Sequence, residues 1–198
     1  RHSLWLLTKR DLKVRYSTSA LGYVWSILDP LLMSGIYYFV FVVVFERTSV
    51  EQPYIVFLLT GLLPWTWFNG AVGDLSKAFL RDAKLVRSTK IPRSVWVLRI
   101  VLSKGIEFLA SIPVLIIFAL TTLSTAHPAH LSWDALYSIL AIAIEAVLII
   151  GIGLIIAPIV VFFRDLERAI KLILRLLFYD SPIVYGLEKF DHHHTLKT

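Results

Sequence analysis

Long runs without charged residues alternate with short basic segments along this 198-residue chain. No Asp, Glu, Lys or Arg occurs from Pro30 to Phe45 or from Tyr54 to Gly73. Because an α-helix rises about 1.5 Å per residue, about 20 apolar residues cross a hydrocarbon core of about 30 Å. The pattern therefore predicts five membrane-spanning helices. They lie at about residues 22–45, 54–73, 100–122, 135–163 and 172–187.

Prolines interrupt several of these predicted spans. Asp29-Pro30 predicts a kink in the first span, because proline removes a backbone hydrogen bond. Gly61–Trp65, which contains Pro64, predicts either a kinked second span or two half-helices. Ser181-Pro182 breaks the fifth span, since a residue that precedes proline avoids the helical region. In the fourth span, the small residues Gly153 and Ala157 are four positions apart, which lets another helix approach closely.

Four acidic residues lie in or near the spans, namely Asp29, Glu107, Glu145 and Asp180. An acidic side chain at the centre of a membrane helix costs about 2.5–3.5 kcal/mol on insertion scales, so each is a candidate functional residue. Pairing with Lys104 explains Glu107 equally well, and pairing with Arg175 explains Asp180 equally well. Their scattered positions do not indicate acid–base catalysis.

The composition supports a membrane protein and the charges orient it. The chain is 57% hydrophobic and 17% charged, whereas soluble domains are about 25% charged. All of its Lys and Arg residues except Arg47, Lys189 and Lys197 lie in segments that this topology places on one side. Basic loops stay in the cytoplasm, so we expect a cytoplasmic N-terminus and an external tail. The net charge of +6 therefore reflects these loops and does not indicate nucleic-acid binding.

Residues 2–16 predict an amphipathic helix at the membrane surface. Trp5, Leu12 and Tyr16 share a face at helical spacing, and aromatic residues favour the headgroup level. The alternative is that this segment is the start of the first span. The basic residues of the interface helix are Lys9, Arg10, Lys13 and Arg15.

Residues 74–90 predict a second amphipathic helix, on the cytoplasmic side. Leu75, Phe79 and Val86 share one stripe, and Lys77, Arg81 and Lys84 share the opposite one. Ile91-Pro92 ends this helix. The segment is either a docking element for a cytoplasmic partner or a solvated loop near anionic headgroups.

The chain lacks the motifs of several enzyme classes. It contains no cysteine, no GxxxxGK[ST] phosphate-binding loop, and neither HExxH nor GxSxG. We therefore expect no catalytic residue, no nucleotide site and no resident metal on this chain. His192–His194 could bind a metal, but a polar loop is the favoured interpretation.

An ordered set of short motifs resembles the ABC-2 type permeases. It comprises Arg10–Tyr16, Ser19–Gly22 with Trp25, Pro30-Leu31, Gly61–Trp65, Ile91–Arg93, Arg164-Asp165 and Ser181–Tyr185. The chain is most similar to the membrane subunits of polysaccharide exporters, either of O-antigen (Wzm-like) or of teichoic acid. This resemblance implies an all-α transmembrane bundle with an N-terminal interface helix, the type V exporter fold.

The resemblance also implies how such a protein works. It implies a homodimer of six-span subunits with two copies of a cytoplasmic ATPase, which binds ATP and Mg. The complex would export a lipid-linked polysaccharide of the O-antigen, galactan or teichoic acid type across the inner or plasma membrane. The sixth span of the family is not found up to Thr198, so we expect it to lie outside these residues.

Residue by residue, the resemblance carries over three sets of candidate sites. Those for ATPase coupling are Asp74, Lys77, Phe79, Arg81, Lys84, Arg87, Pro92, Arg93, Arg164 and Asp165. Those for the interface helix are Lys9, Arg10, Lys13, Arg15 and Tyr16. Those for the sugar path are Trp25, Tyr37, Tyr38, Trp65, Trp67, Phe68, Tyr179 and Tyr185. The alternative for these aromatic residues is packing or anchoring at the membrane interfaces.

Three other functions compete with polysaccharide export. A permease for drugs or simple lipids would have a closed apolar cavity instead of an aromatic-lined channel. A membrane enzyme acting on lipid-linked sugars would need carboxylates that converge on one membrane face. An ion channel would need a ring of matched polar groups.

Overall fold

The computed structural model describes residues 2–17, 24–44, 54–122, 135–181 and 183, and within these ranges it contains helices and no strand. The helices are α1 His2–Ser17, α2 Val24–Tyr38, α3 Tyr54–Leu75, α4 Ala78–Arg81, α5 Ala83–Ser88, α6 Arg93–Thr122, α7 Ala135–Phe162 and α8 Leu166–Asp180. A π-helical segment, Phe39–Val44, continues α2. The predicted all-α membrane bundle is confirmed.

Three of the described helices are long and apolar enough to cross a membrane. They are α3, α6 over Arg93–Leu120 and α7 over Tyr137–Phe162. The predicted fifth span differs, because α8 has 15 residues and begins at Leu166 instead of near residue 172. It ends at Asp180, and Ser181 adopts an extended conformation ahead of Pro182. The predicted break at Ser181-Pro182 is therefore confirmed.

The prolines within α2 and α3 do not divide these helices. The α2 helix is continuous through Asp29-Pro30, and α3 is continuous through Pro64. Each proline removes only one backbone hydrogen bond, and the bonds of the neighbouring turns maintain the helix. Of the two alternatives for Pro64, the division into two half-helices is therefore excluded.

The α3 helix lies at the centre of the bundle, in contact with α2, α6, α7 and α8. Every fourth residue from Leu63 to Leu75 is buried, which forms one apolar stripe along the helix. This stripe joins residues of α6 and α7 in the main hydrophobic core, including Val97, Val101, Phe108, Ile149 and Ala157. The Trp67 ring stacks on Phe108 with centroids 5.0 Å apart.

The close approach predicted at Gly153 is confirmed. A Cβ atom at this position would lie 2.7 Å from Cδ1 of Leu75 and 3.0 Å from Cγ1 of Val97. A larger residue here would require Leu75 or Val97 to move, so glycine allows α7 to pack closely against α3 and α6. The opposite side of α7 is apolar and exposed, for example at Val147 and Ile155, and this surface suits contact with lipid chains.

The α1 helix packs against α6 through one face that carries both polar and apolar residues. Thr8 and Leu12 are buried, and Leu4, Leu7 and Asp11 are half-buried beside them. Trp5, by contrast, is 58% exposed. Leu12 therefore contacts the bundle, while Trp5 of the same helix remains exposed.

Candidate functional site

The predicted amphipathic helix over 74–90 is divided by a tertiary contact. The α3 helix runs on to Leu75, a turn follows, and α4 and α5 are separated at Asp82. Asp82 leaves the helical conformation with φ −105° and ψ 23°. Its side chain turns inward to an arginine of α6, which explains why the segment is two short helices and not one.

The amphipathic partition of this segment nevertheless matches the prediction. Leu75 is fully buried and Phe79 packs against the main core. Arg81 and Lys84 are exposed, and Lys77 is partly exposed. Pro92 and Arg93 are exposed at the start of α6, as are Arg164 and Asp165 in the turn before α8, whereas the side chain of Arg87 lies outside the described residues. The basic face is thus open to a partner.

A buried arginine joins three parts of the chain, and we name this cluster the Arg99 joint. Arg99 of α6 has no exposed side-chain surface. Its Nη1 donates to Oδ1 of Asp11 in α1 at 3.1 Å, and its Nη2 donates to Oδ2 of Asp82 between α4 and α5. The guanidinium also lies 4.6 Å from the ring centroid of Trp96. The Arg99 joint therefore ties the basic segment to both α1 and α6.

Both carboxylates of the Arg99 joint contact the same buried guanidinium. Burial raises the pKa of Asp11 above its ordinary value of 3.8, while the nearby Arg99 opposes this rise. Asp82 is buried and directly paired with Arg99. Because removal of one partner from a buried ion pair leaves an uncompensated charge, this cluster resists separation of its helices.

A second electrostatic contact links the basic segment to α8. Nζ of Lys77 lies 3.8 Å from Oε1 of Glu167, and Nζ of Lys171 donates to the same oxygen at 2.8 Å. The hydrogen bond from Lys171 lowers the pKa of Glu167 below its ordinary value of 4.5. A displacement of the basic segment would therefore reach α8 as well as α6.

A groove of about 950 Å³ opens between α2, α3 and α8. Its lining combines aromatic, polar and basic side chains, namely Met33, Leu62, Trp65, Thr66, Asn69, Lys171, Leu174, Arg175, Phe178 and Tyr179. Ring centroids are 5.5 Å apart for Trp65 and Phe178 and 5.6 Å apart for Phe178 and Tyr179. The groove thus presents a row of aromatic rings beside amide, hydroxyl and cationic groups.

The charges of this groove are positive. Lys171 pairs with Glu167, whereas Arg175 is exposed and forms no ion pair with any described residue. No ion pair joins Arg175 to Asp180 among the contacts of the described residues, so the suggested pairing is not found. Asp180 instead lines a neighbouring groove of about 860 Å³, together with Glu145.

A third, polar cavity of about 550 Å³ is lined by other charged residues. Asp29 lines it opposite Lys104 and Glu107, whose Nζ and Oε2 atoms are 2.8 Å apart. The predicted pairing of Lys104 and Glu107 is therefore confirmed. The pair neutralises two charges that would otherwise be costly within a membrane.

The predicted sugar-path residues do not form one group. Trp65 and Tyr179 line the aromatic groove, and Phe68 lies beside Trp65 with ring centroids 5.8 Å apart. Trp67 is instead 6% exposed and belongs to the core, because its ring stacks on Phe108. Trp25 and Tyr38 are exposed on α2 and do not line the groove. The side chain of Tyr37, and Tyr185 as a whole, lie outside the described residues.

Several residues of these sites could not be identified from the sequence. Asn69 and Phe178 line the groove, yet neither belongs to a motif. Asp11 and Asp82 are acidic residues within basic segments, which is a weak signal for an internal partner. Across the described residues, no group of three or more His, Asp or Glu side chains could hold a metal, and His192–His194 lie outside those residues.

The chain is similar to known membrane proteins along almost its whole length. The family described as "ABC-2 type transporter" matches residues 2–196. A Klebsiella pneumoniae protein named O-antigen export system permease protein RfbA is 42% identical over 91% of this chain and 68% of its own length. A protein of the same name from Myxococcus xanthus is 30% identical over 91% of this chain and 67% of its own length. The Escherichia coli polysialic acid transport protein KpsM is 25% identical over 90% of this chain and 67% of its own length.

Proposed function

The chain belongs to the ABC-2 type transporter family, and from this membership we propose that it is the permease subunit of an ATP-driven exporter of a lipid-linked polysaccharide. The relatives named as O-antigen export permeases, at 41% and 42% identity, favour an O-antigen type of glycan. The exporter would lie in the inner membrane with the N-terminus of this chain in the cytoplasm, as the distribution of Lys and Arg favours.

The observation that carries this proposal is the aromatic row in the groove between α2, α3 and α8. The C–H faces of sugars pack on aromatic faces, while sugar hydroxyls form hydrogen bonds with groups such as the Asn69 amide and the Thr66 hydroxyl. Trp65, Phe178 and Tyr179 would supply several weak contacts in sequence. Weak contacts in a row suit a polymer that must slide, whereas one tight site would stop it.

A separate ATPase would drive this movement, with ATP and Mg bound on that subunit. The exposed basic face of the segment from Lys77 to Arg93 is the surface we propose for its docking. A push on this segment would pass through the Arg99 joint to α1 and α6, and through Glu167 to α8. The complex would contain two permeases and two ATPases, with the aromatic grooves of the two permeases forming one conduit.

The test uses the complete permease and its ATPase, reconstituted in vesicles with a lipid-linked O-antigen glycan. We expect ATP-dependent movement of the glycan to the far leaflet, measured by its accessibility to a glycosidase. Phe178→Ala should slow this movement several-fold, because it removes the central ring of the aromatic row. Phe162→Ala is the matched control, since Phe162 is 81% exposed at the end of α7, away from the groove.

Two results would contradict the proposal. The first is that the wild-type complex hydrolyses ATP in these vesicles without moving the glycan. The second is that Phe178→Ala and Phe162→Ala export at the same rate. Reversing the charges of Lys77, Arg81 and Lys84 tests the docking surface separately and should uncouple ATP turnover from export.

A further inference from the structure

We infer that Arg175 and Lys171 form an oxyanion site at one side of the aromatic groove, where the phosphoryl linkage of the lipid-linked substrate binds. This inference rests on the proposed function and deepens it, because it assigns the charged part of the substrate to two residues of α8. Arg175 is the more important of the two. Lys171 pairs with Glu167, whereas Arg175 has no ion-pair partner among the described residues.

The charge balance of the groove supports an anionic ligand. Lys171 and Arg175 line it, and none of its lining residues among those the structure describes is acidic. Among the described acidic residues, Glu167 pairs with Lys77 and Lys171, Asp180 lines the neighbouring groove with Glu145, and Asp29 lines the polar cavity with Lys104 and Glu107. An arginine within a predicted membrane segment is costly, so its charge needs a partner of opposite sign. The described residues of the chain do not supply one.

The geometry of α8 favours a group with several oxygens. Lys171 and Arg175 are four residues apart, so they lie on the same face, about 6 Å apart along the helix axis. Arginine can donate two parallel hydrogen bonds to a phosphoryl group, and lysine acts as a point charge. The pair between Lys171 and Glu167 is exposed and weak, so Lys171 can exchange Glu167 for a ligand oxygen.

The neighbours of these cations indicate how the substrate would lie. Phe178 and Tyr179 follow Arg175 within the next turn of α8, and Trp65 contacts Phe178 across the groove. A phosphoryl group at Arg175 would therefore place the first sugars against the aromatic row. This arrangement explains why cationic and aromatic side chains line the same surface.

The experiment measures binding to the purified complex in nanodiscs of zwitterionic phospholipid. The probes are a polyprenyl diphosphate, the uncharged polyprenol of the same length, and a soluble hexuronic acid oligosaccharide. We expect the diphosphate to bind about 10-fold or more tightly than the polyprenol, and Arg175→Gln to remove most of that difference. Arg175→Lys should keep part of it. Arg168→Gln is the matched control, because Arg168 is an exposed arginine of the same helix that does not line the groove.

The oligosaccharide probe separates two sources of the oxyanion. Binding of the diphosphate that depends on Arg175 supports a site for the lipid linkage. Binding of the oligosaccharide alone, again dependent on Arg175, overturns the lipid assignment and moves the oxyanion to acidic sugars of the polymer. Equal affinity of wild type and Arg175→Gln for every probe, or equal losses in Arg175→Gln and Arg168→Gln, overturns the site.

Failure of this inference and failure of the proposed function give different results. If Arg175→Gln binds and exports like the wild type while the wild type moves glycan, only the oxyanion site is refuted. If the wild-type complex moves no glycan, the proposed function itself is refuted, whatever the probes bind.

Discussion

Replacement of Arg99 by methionine tests the Arg99 joint directly. The guanidinium is fully buried and hydrogen-bonded to Asp11 and Asp82, so Arg99→Met leaves two carboxylates without their cation. Breaking a buried ion pair in this way costs about 3–5 kcal/mol. For a chain of this length each kcal/mol lowers the melting temperature by about 2–4 °C, so we expect a decrease on the order of 10 °C.

The expected loss comes from uncompensated charge and not from lost packing, and a triple variant separates the two causes. Asp11→Asn, Asp82→Asn and Arg99→Met together leave no charge in the Arg99 joint. Buried ion clusters replaced as a unit are often close to neutral in stability. The triple variant should therefore recover much of the melting temperature that Arg99→Met loses. Its coupling of ATP turnover to glycan export should remain impaired, because the link between the basic segment and α6 is gone.

The assay follows thermal unfolding of the purified complex in detergent together with ATP turnover per glycan exported in vesicles. Arg168→Met is the control, because Arg168 is exposed and its loss should change stability by less than about 0.5 kcal/mol. A melting temperature of Arg99→Met within about 2 °C of the wild type corresponds to a loss of at most about 1 kcal/mol. That result would refute the stabilising role of the buried ion cluster. A triple variant that is less stable than Arg99→Met would show that packing dominates.

Three further predictions concern other contacts. Gly153→Val should destabilise the bundle by about 1–3 kcal/mol, because the new side chain would clash with Leu75, and thermal unfolding measures this loss. Folding raises the pKa of Asp11, so the protonated side chain should stabilise the fold fully below about pH 3.8. This stabilisation should decline as the pH rises through the raised pKa. The melting temperature of Asp11→Asn should lack this pH dependence. Glu167→Gln should change stability by less than about 1 kcal/mol but lower the glycan exported per ATP, because Lys77 loses its partner on α8; an unchanged ratio would remove this contact from the coupling route.

Helix positions were the most predictable feature of the fold. The apolar run from Tyr54 onward predicts the start of α3, and Ile91-Pro92 separates α5 from α6 as expected. The α8 helix was less predictable, because its polar residues Glu167, Lys171 and Arg175 share a helix with buried Ile170 and Leu174. A hydropathy pattern identifies segments that are apolar on all sides more readily than a helix with one polar face.

The candidate sites were predictable only in part. The aromatic residues Trp65 and Tyr179 were identified from their place in the family motifs and spans, and the groove includes both. Trp67 was grouped with them because it lies close in sequence, but two positions along a helix change the direction of a side chain by about 200°, and it enters the core. Sequence spacing therefore identified the right helix and not the right face.

The sequence by itself determined which segments are apolar enough for a bilayer and where the basic residues gather between them. These properties are local, because transfer of a helix into a membrane depends on the side chains of that helix. The tertiary structure alone decided that Arg99 meets Asp11, 88 positions away, and that Asp82 interrupts a helix to reach the same guanidinium. It also brought α2, α3 and α8 together around one groove. Such contacts depend on how helices rotate and cross, and no local periodicity encodes that arrangement.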